Sequence, residues 1–256
     1  MHPLRLSICT YNLWNDQRWP ERERALREFL ARFSPDVFGV QELCPATRDC
    51  IDSALSGHAR VEDDFTGWHH QGNLWWRRDI LEYVEHGAAE YGSHDPSRGL
   101  FWARLRRADT GATVVASTAH LSHTSRDEET ATGQSPRVDQ ARATVAALAE
   151  IVAPGEPAWF MGDFNDPYHP SSILHAAGYS SCFADLALQP PPTFPALPTA
   201  ARALDGHLSN SCYDWITANA HTRAIAAHSP HMFCGDLAPS DHWPIVAVYE
   251  LGAGTS

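Results

Sequence analysis

Six short apolar runs, each ending in or enclosing a side chain that can bind a metal or move a proton, constrain this chain most. Two of them carry the greatest weight. WFMGDFN reads as a buried strand, Trp159 to Met161, that runs into GDFND (Gly162–Asp166). Asp163 and Asn165 are two apart, so an extended backbone points them the same way. PSDHWPI (Pro239–Ile245) sets Asp241 and His242 at the mouth of another strand, Ile245 to Tyr249. Titratable groups at the ends of hydrophobic strands suit a site built on a rigid sheet. Taken singly, DFN reads as a turn and SDH as a loop, and strings this short say little alone.

Four further runs change that. SICTYNLW (Ser7–Trp14) is a strand ending in Asn12, and DVFGVQEL (Asp36–Leu43) is one ending in Gln41-Glu42. TVVASTAHLSH (Thr113–His123) ends in His120, and SCYDWIT (Ser211–Thr217) encloses Asp214. In chain order the polar groups are Asn, Glu, His, Asp-x-Asn, Asp and Asp-His.

Helices separate some of these strands. In PERERALREFLARF (Pro20–Phe33), Pro20 suits a first turn, and Ala25, Leu26, Phe29, Leu30 and Phe33 form one apolar stripe. Ser34-Pro35 stops it. RVDQARATVAALAEIV (Arg137–Val152) places Val138, Ala141, Val145, Leu148 and Val152 on one side. Shorter helices are expected over Thr47–Leu55 and Ser171–Gly178, and a hairpin turn at Asp109-Thr110-Gly111. His123–Pro136 and Pro190–Asn210 read as loops, for most residues plainly solvated ones. Trp75, Trp76 and Trp102 alternate with polar residues and read as sheet packing rather than as a stacking platform.

Strands alternating with a few helices and hairpins argue for mixed α and β layers. At 256 residues the chain fits one domain, 1–256, with a substantial core. No run of ~18 apolar residues could span a membrane. The start goes straight into a strand without the apolar core of a signal peptide. A cytoplasmic protein is therefore expected, or one whose export signal has been trimmed. The six cysteines show no CxxC pair, which favours free thiols over a disulfide framework. The net charge is −12, and all 19 positive charges are arginine, so lysine-based phosphate loops and Schiff-base chemistry are excluded. Such a chain has no general attraction to a polyanion; nucleic acid stays open as a partner only through a local arginine patch. No HExxH motif or paired-cysteine spacing points to zinc.

The ordered series from Asn12 to His242 resembles the endonuclease/exonuclease/phosphatase superfamily, over about Leu6 to Tyr249. That group includes pancreatic deoxyribonuclease, apurinic/apyrimidinic endonucleases, inositol polyphosphate 5-phosphatases and neutral sphingomyelinases. The resemblance implies an α+β fold: a four-layer α/β/β/α sandwich of two mostly antiparallel mixed sheets flanked by helices. It makes Glu42 the principal ligand of a Mg²⁺ ion, with Mn²⁺ as a substitute. A carboxylate at an apolar strand end is costly unless paired or on a metal, and magnesium favours one or two such oxygens. Asp241 would reach the metal shell from the other face of an extended chain, and Asn12 would join the metal and phosphate network.

Asp163 would orient or deprotonate the attacking water, and Asn165 would donate to a non-bridging oxygen. Asp214 would fix the tautomer of His242, which would contact the phosphate or activate the water. His120 would donate to a phosphate oxygen or protonate the leaving group, with His123 a second candidate for the same shell. Relatives often carry arginine two places before the aspartate matched by Asp214; here that place is Cys212. The expectation is thus a Mg²⁺-dependent phosphoesterase, with a nucleic-acid, nucleotide or lipid phosphodiester favoured over a monoester. The rivals are a sphingomyelinase-like phospholipase, a biosynthetic enzyme reusing the metal site on a small metabolite, and a non-hydrolytic binder on the same scaffold.

Overall fold

The computed structural model describes residues 3–123, 127–199 and 210–252. In chain order its elements are β1 (Leu4–Asn12), α1 (Glu23–Phe33), β2 (Val37–Gln41), α2 (Pro45–Ala54), β3 (His58–Arg60), α3 (Gly67–His70) and β4 (Gly72–Arg77). Then follow β5 (Leu81–Ala89), β6 (Leu100–Arg107), β7 (Thr113–His120), α4 (Asp127–Thr132), α5 (Pro136–Ile151), β8 (Ala158–Asp163) and α6 (His169–Ala176). The chain ends with β9 (Ser180–Ser181), α7 (Cys182–Asp185), β10 (Asp214–Ala218), β11 (Thr222–His228) and β12 (Ile245–Leu251).

The strands form two six-stranded sheets, ordered β11-β12-β1-β2-β4-β3 and β5-β6-β7-β8-β10-β9. Each is antiparallel except for one central parallel pair, β1 with β2 and β7 with β8. Parallel neighbours cannot be joined by a tight turn and need a crossover. The sequence supplies one for each pair, through α1 and through α4 and α5. The main core, including Leu6, Ile8, Trp76, Phe101, Met161, Ile216 and Tyr249, lies between the sheets. A second cluster packs Leu26, Phe29, Leu30 and Ile51 of α1 and α2 on the first sheet. A third packs Leu148 and Leu174 of α5 and α6 on the second. This is the expected four-layer sandwich.

The sheets approach closely at Gly39, where an added Cβ would sit 2.6 Å from Met161 Sδ. Gly162 of the GDFND string is equally constrained. Its φ is +152°, and a Cβ there would lie 1.9 Å from the Ala119 carbonyl oxygen on β7. Among the described residues no helix is long and apolar enough to cross a membrane. All six cysteines are free.

Several local expectations are revised. Asp214 opens β10 rather than lying inside it. Ala25, Leu26, Phe29 and Leu30 of the α1 stripe are buried as expected, Phe33 is only partly covered, and the helix begins at Glu23. On α5 the buried face is Arg137, Gln140, Ala141, Thr144 and Leu148, while Val138 and Val145 are only partly covered. The reason is polar: Gln140 accepts from the Ser122 N–H (2.9 Å) and donates to its hydroxyl (2.7 Å), and Arg137 donates to the Ser122 carbonyl (3.0 Å). The helix is turned so that these side chains satisfy the segment after His120.

The proline-rich stretch is also more ordered than a solvated loop. Thr193, Ala196 and Thr199 are buried. Trp243 N–H donates to the Thr193 carbonyl (2.7 Å), and Ala238 N–H to the Thr199 hydroxyl (2.7 Å). The rest of that stretch, 200–209, and residues 124–126 of the earlier loop lie outside the described residues.

Candidate active site

The carboxyl ends of both parallel pairs open at the same edge of the sandwich. Register places Asn12 opposite Gln41, His120 opposite Asp163, and Asp163 opposite Asp214. Ligands in open sheets characteristically bind beyond such strand ends.

Asp163 is the hub. Its Oδ2 accepts from Asn12 Nδ2 at 2.9 Å and lies 3.6 Å from His120 Nε2 and 3.7 Å from His242 Nε2. Its Oδ1 accepts the Asn165 N–H at 2.9 Å. Asn165 has φ +50°, so the pair converges through a turn closed by the Asp163 side chain, not by strand alternation. Burial raises the Asp163 carboxyl above the usual range; the His242 ring opposes that and Asp214 adds to it.

His242 Nδ1 lies 2.8 Å from Asp214 Oδ2, and the His242 ring packs on Phe194 with centroids 4.8 Å apart. Burial opposes charge on this ring, but the Asp214 and Asp163 carboxylates outweigh it and hold His242 well above the ordinary imidazole range. Thr193 Oγ1 accepts the N–H groups of Tyr213 (2.9 Å) and Asp214 (3.1 Å), fixing the start of β10. Cys212 is buried and meets no arginine's duty: its Sγ donates to the Asp214 carbonyl at 3.3 Å.

Asn165 Nδ2 contacts both the Leu121 carbonyl and His120 Nε2 at 3.0 Å. An amide nitrogen has two hydrogens to give, so His120 Nε2 is an acceptor and its ring proton sits on Nδ1. Burial, followed by the charge of Arg98, holds His120 well below the ordinary imidazole range. His123, just beyond the end of β7, is also lowered, by partial desolvation of its ring and then by the charge of Arg137.

Glu42 stands at φ +49° just past β2, with its side chain 23% exposed. One oxygen accepts from Asn12 Nδ2 (3.1 Å), the other from Asn15 Nδ2 (3.0 Å). Asn12 thus bridges Glu42 on one sheet and Asp163 on the other, while its Oδ1 accepts the Trp14 N–H. The chain bends through 239–242 rather than running extended, and the buried Asp241 there interacts electrostatically with Glu42. Burial pushes the Asp241 carboxyl up to about 6, with His242 opposing and Glu42 adding.

Two groupings could hold a cation. Asp163, Asp214 and His242 bring ligand atoms within 4.8 Å of one another. In that trio the imidazole is already bound to Asp214, and the ring's charge serves the carboxylates. Glu42 and Asp241, with Asn12 beside them, are instead hard oxygen donors whose mutual repulsion a divalent ion would relieve. That donor chemistry fits magnesium.

Every residue singled out by sequence falls in this neighbourhood, with His123 at its margin. Asn15, Arg22, Arg98, Thr193 and Phe194 were not singled out. Asn15 follows YNLW closely enough to be noticed, whereas Thr193 and Phe194 sit in a stretch whose composition reads as loop.

A model of the endonuclease/exonuclease/phosphatase family matches residues 9–242. Among curated proteins nothing matches. Among solved structures, an endonuclease/exonuclease/phosphatase family protein from Bacteroides thetaiotaomicron is 19% identical, with TM-score 0.77, covering 98% of this chain and 99% of that one. D. rerio TDP2, complexed with a single-strand DNA product, is 18% identical, with TM-score 0.76 and coverage of 96% and 98%. A mannosyl-6-phosphatase from Bacteroides thetaiotaomicron VPI-5482 is 19% identical, with TM-score 0.75 and coverage of 95% and 99%. At these identities the likeness is one of fold. With the family match spanning nearly the whole chain, this protein belongs to the endonuclease/exonuclease/phosphatase family, whose members are phosphoesterases and nucleases.

Proposed function

We propose that this chain is a Mg²⁺-dependent phosphodiesterase that hydrolyses its substrate by in-line attack of water. The observation that carries the reading is the convergence of Asn12, His120 and His242 on one buried carboxylate, Asp163, with Asp214 behind His242. A carboxylate whose proton affinity is raised by burial is a better base than a solvated one. Asp163 takes the proton of the attacking water. His242, kept charged by Asp214, donates from Nε2 to a phosphate oxygen and offsets the charge that builds there. Asp214 holds the ring so that Nε2 faces Asp163.

Asn165 and His120 form the opposite wall. A non-bridging oxygen that displaces their mutual hydrogen bond receives an amide hydrogen from Asn165. As the water oxygen bonds to phosphorus, the bond to the leaving oxygen breaks on the opposite side and that oxygen takes up a proton from solvent, while His120 Nε2, freed of the amide, accepts a hydrogen bond at this wall. His123 contributes at the rim. Glu42 and Asp241 would hold the cation, with Asn12 beside them, and the ion would supply positive charge to the phosphate oxygens.

A second reading is a sugar-phosphate monoesterase, favoured by the likeness to the mannosyl-6-phosphatase. The two are separated by p-nitrophenol release with Mg²⁺ from bis-p-nitrophenyl phosphate and from p-nitrophenyl phosphate. The diesterase reading expects turnover of the first and little of the second; the reverse preference overturns it. Single-stranded and duplex DNA, RNA, nucleotides and sphingomyelin then narrow the class.

A further inference from the structure

Arg22 is completely buried, and among the described residues its guanidinium forms no ion pair or hydrogen bond with a carboxylate, though it feels the charge of Asp241. It donates instead to main-chain carbonyls. Nε reaches Gln17 (2.6 Å), and Nη2 reaches Leu13 (3.1 Å), Trp14 (3.4 Å) and Asn15 (3.2 Å). Nη1 donates to Pro239 across the site. The guanidinium also lies 5.3 and 5.7 Å from the ring centroids of Trp14 and Trp19. A buried cation is costly, and a fork whose three nitrogens all donate to carbonyls between two indoles is a specific arrangement that lysine's single ammonium cannot copy.

What the fork holds is informative. Trp14 and Asn15 have φ of 57° and 47°, a conformation that non-glycine residues keep only when surroundings enforce it. Asn15 carries the amide that seats Glu42 Oε2. Pro239 begins the bend that delivers Asp241, whose Oδ1 accepts from the Ser240 hydroxyl at 3.2 Å. One side chain therefore ties the loop that carries Asn15, the partner of Glu42, to the loop that carries Asp241.

We propose that Arg22 is a positioning residue that pre-forms the cation site, seating Asn15 on Glu42 and bringing Asp241 to the same place by clasping both loops in one fork. This rests on the assignment of Glu42 and Asp241 to the cation. Such outer residues act through the ligands they orient, and losing one weakens metal binding by roughly tenfold or more.

The test is Mn²⁺ affinity by isothermal titration for wild type, Arg22→Lys, Asn15→Ala, their double variant and Glu42→Gln, with folding checked by circular dichroism. Arg22→Lys is expected to weaken Mn²⁺ by roughly tenfold, with kcat at saturating metal less affected. The double variant is expected to be no worse than Arg22→Lys alone, because the effect of Asn15 on Glu42 already depends on Arg22. Wild-type affinity in folded Arg22→Lys, or independent losses that multiply, would overturn the proposal. If Glu42→Gln leaves affinity unchanged, the cation assignment itself falls. Should Arg22→Lys not fold, amide exchange in the wild-type protein decides. Segments 13–17 and 239–241 should be protected in EDTA and gain little from Mn²⁺. A large gain on adding metal contradicts a pre-formed site.

Discussion

Asp163 and His242 are separable in sequence but not in chemistry. Each is buried, each shifts the other's proton affinity, and Asp214 touches both effects. Asp163→Asn and His242→Ala should each lower kcat by about 10²–10⁴, the range for losing a positioned acid–base group. Their combination should be far less damaging than the product of the two losses, because groups acting on one proton fail together. Asp214→Asn should also slow the reaction by favouring the wrong imidazole tautomer. The readout is steady-state kcat on folded variants. Multiplicative losses, or near-normal turnover by His242→Ala, would remove these residues from a shared role.

At the scale of elements, β3 carries a titration that affects stability rather than catalysis. His58 Nε2 lies 2.8 Å from the Pro35 carbonyl and donates to it, while Nδ1 is buried without a hydrogen-bond partner among the described residues. Burial lowers its proton affinity, and the Pro35 carbonyl only partly opposes this. The unfolded ring protonates first, near pH of about 6.5. Stability from His58 is therefore present above that pH and is lost as pH falls toward the lower folded value. Urea midpoints in EDTA at pH 8 and 5.5 should fall further for wild type than for His58→Gln, which keeps an N–H for Pro35. Equal falls would contradict this. The elements themselves were largely legible, because apolar runs and stripes report which face is buried. The face of α5 was not, since Gln140 and Arg137 turn inward for a loop that periodicity cannot see. Likewise Asp163 and Asn165 were paired correctly for the wrong reason, the turn at Asn165 replacing strand alternation. Arg22 escaped notice because a charged residue at a helix start normally faces water.

For the whole molecule, the two sheets matter through their ends. Each contributes one parallel pair, and Asn12 joins them by bonding to Glu42 and Asp163 at once. The strand ends were readable because polar groups interrupt apolar runs there; their meeting across two sheets, and the part played by 190–199, depend on contacts far apart in sequence. A net charge of −12 gives no long-range pull on a polyanion, so recognition must be local. The central claim is that this joint is a cation-dependent phosphodiester-cleaving site, and bis-p-nitrophenyl phosphate hydrolysis tests it directly when Mg²⁺ is titrated into EDTA-treated wild type and Glu42→Gln. Wild type should be inactive in EDTA and recover with Mg²⁺, and Glu42→Gln should need far more Mg²⁺ and turn over more slowly while staying folded. Full hydrolysis in EDTA, or an unchanged Mg²⁺ response in Glu42→Gln, would contradict the account.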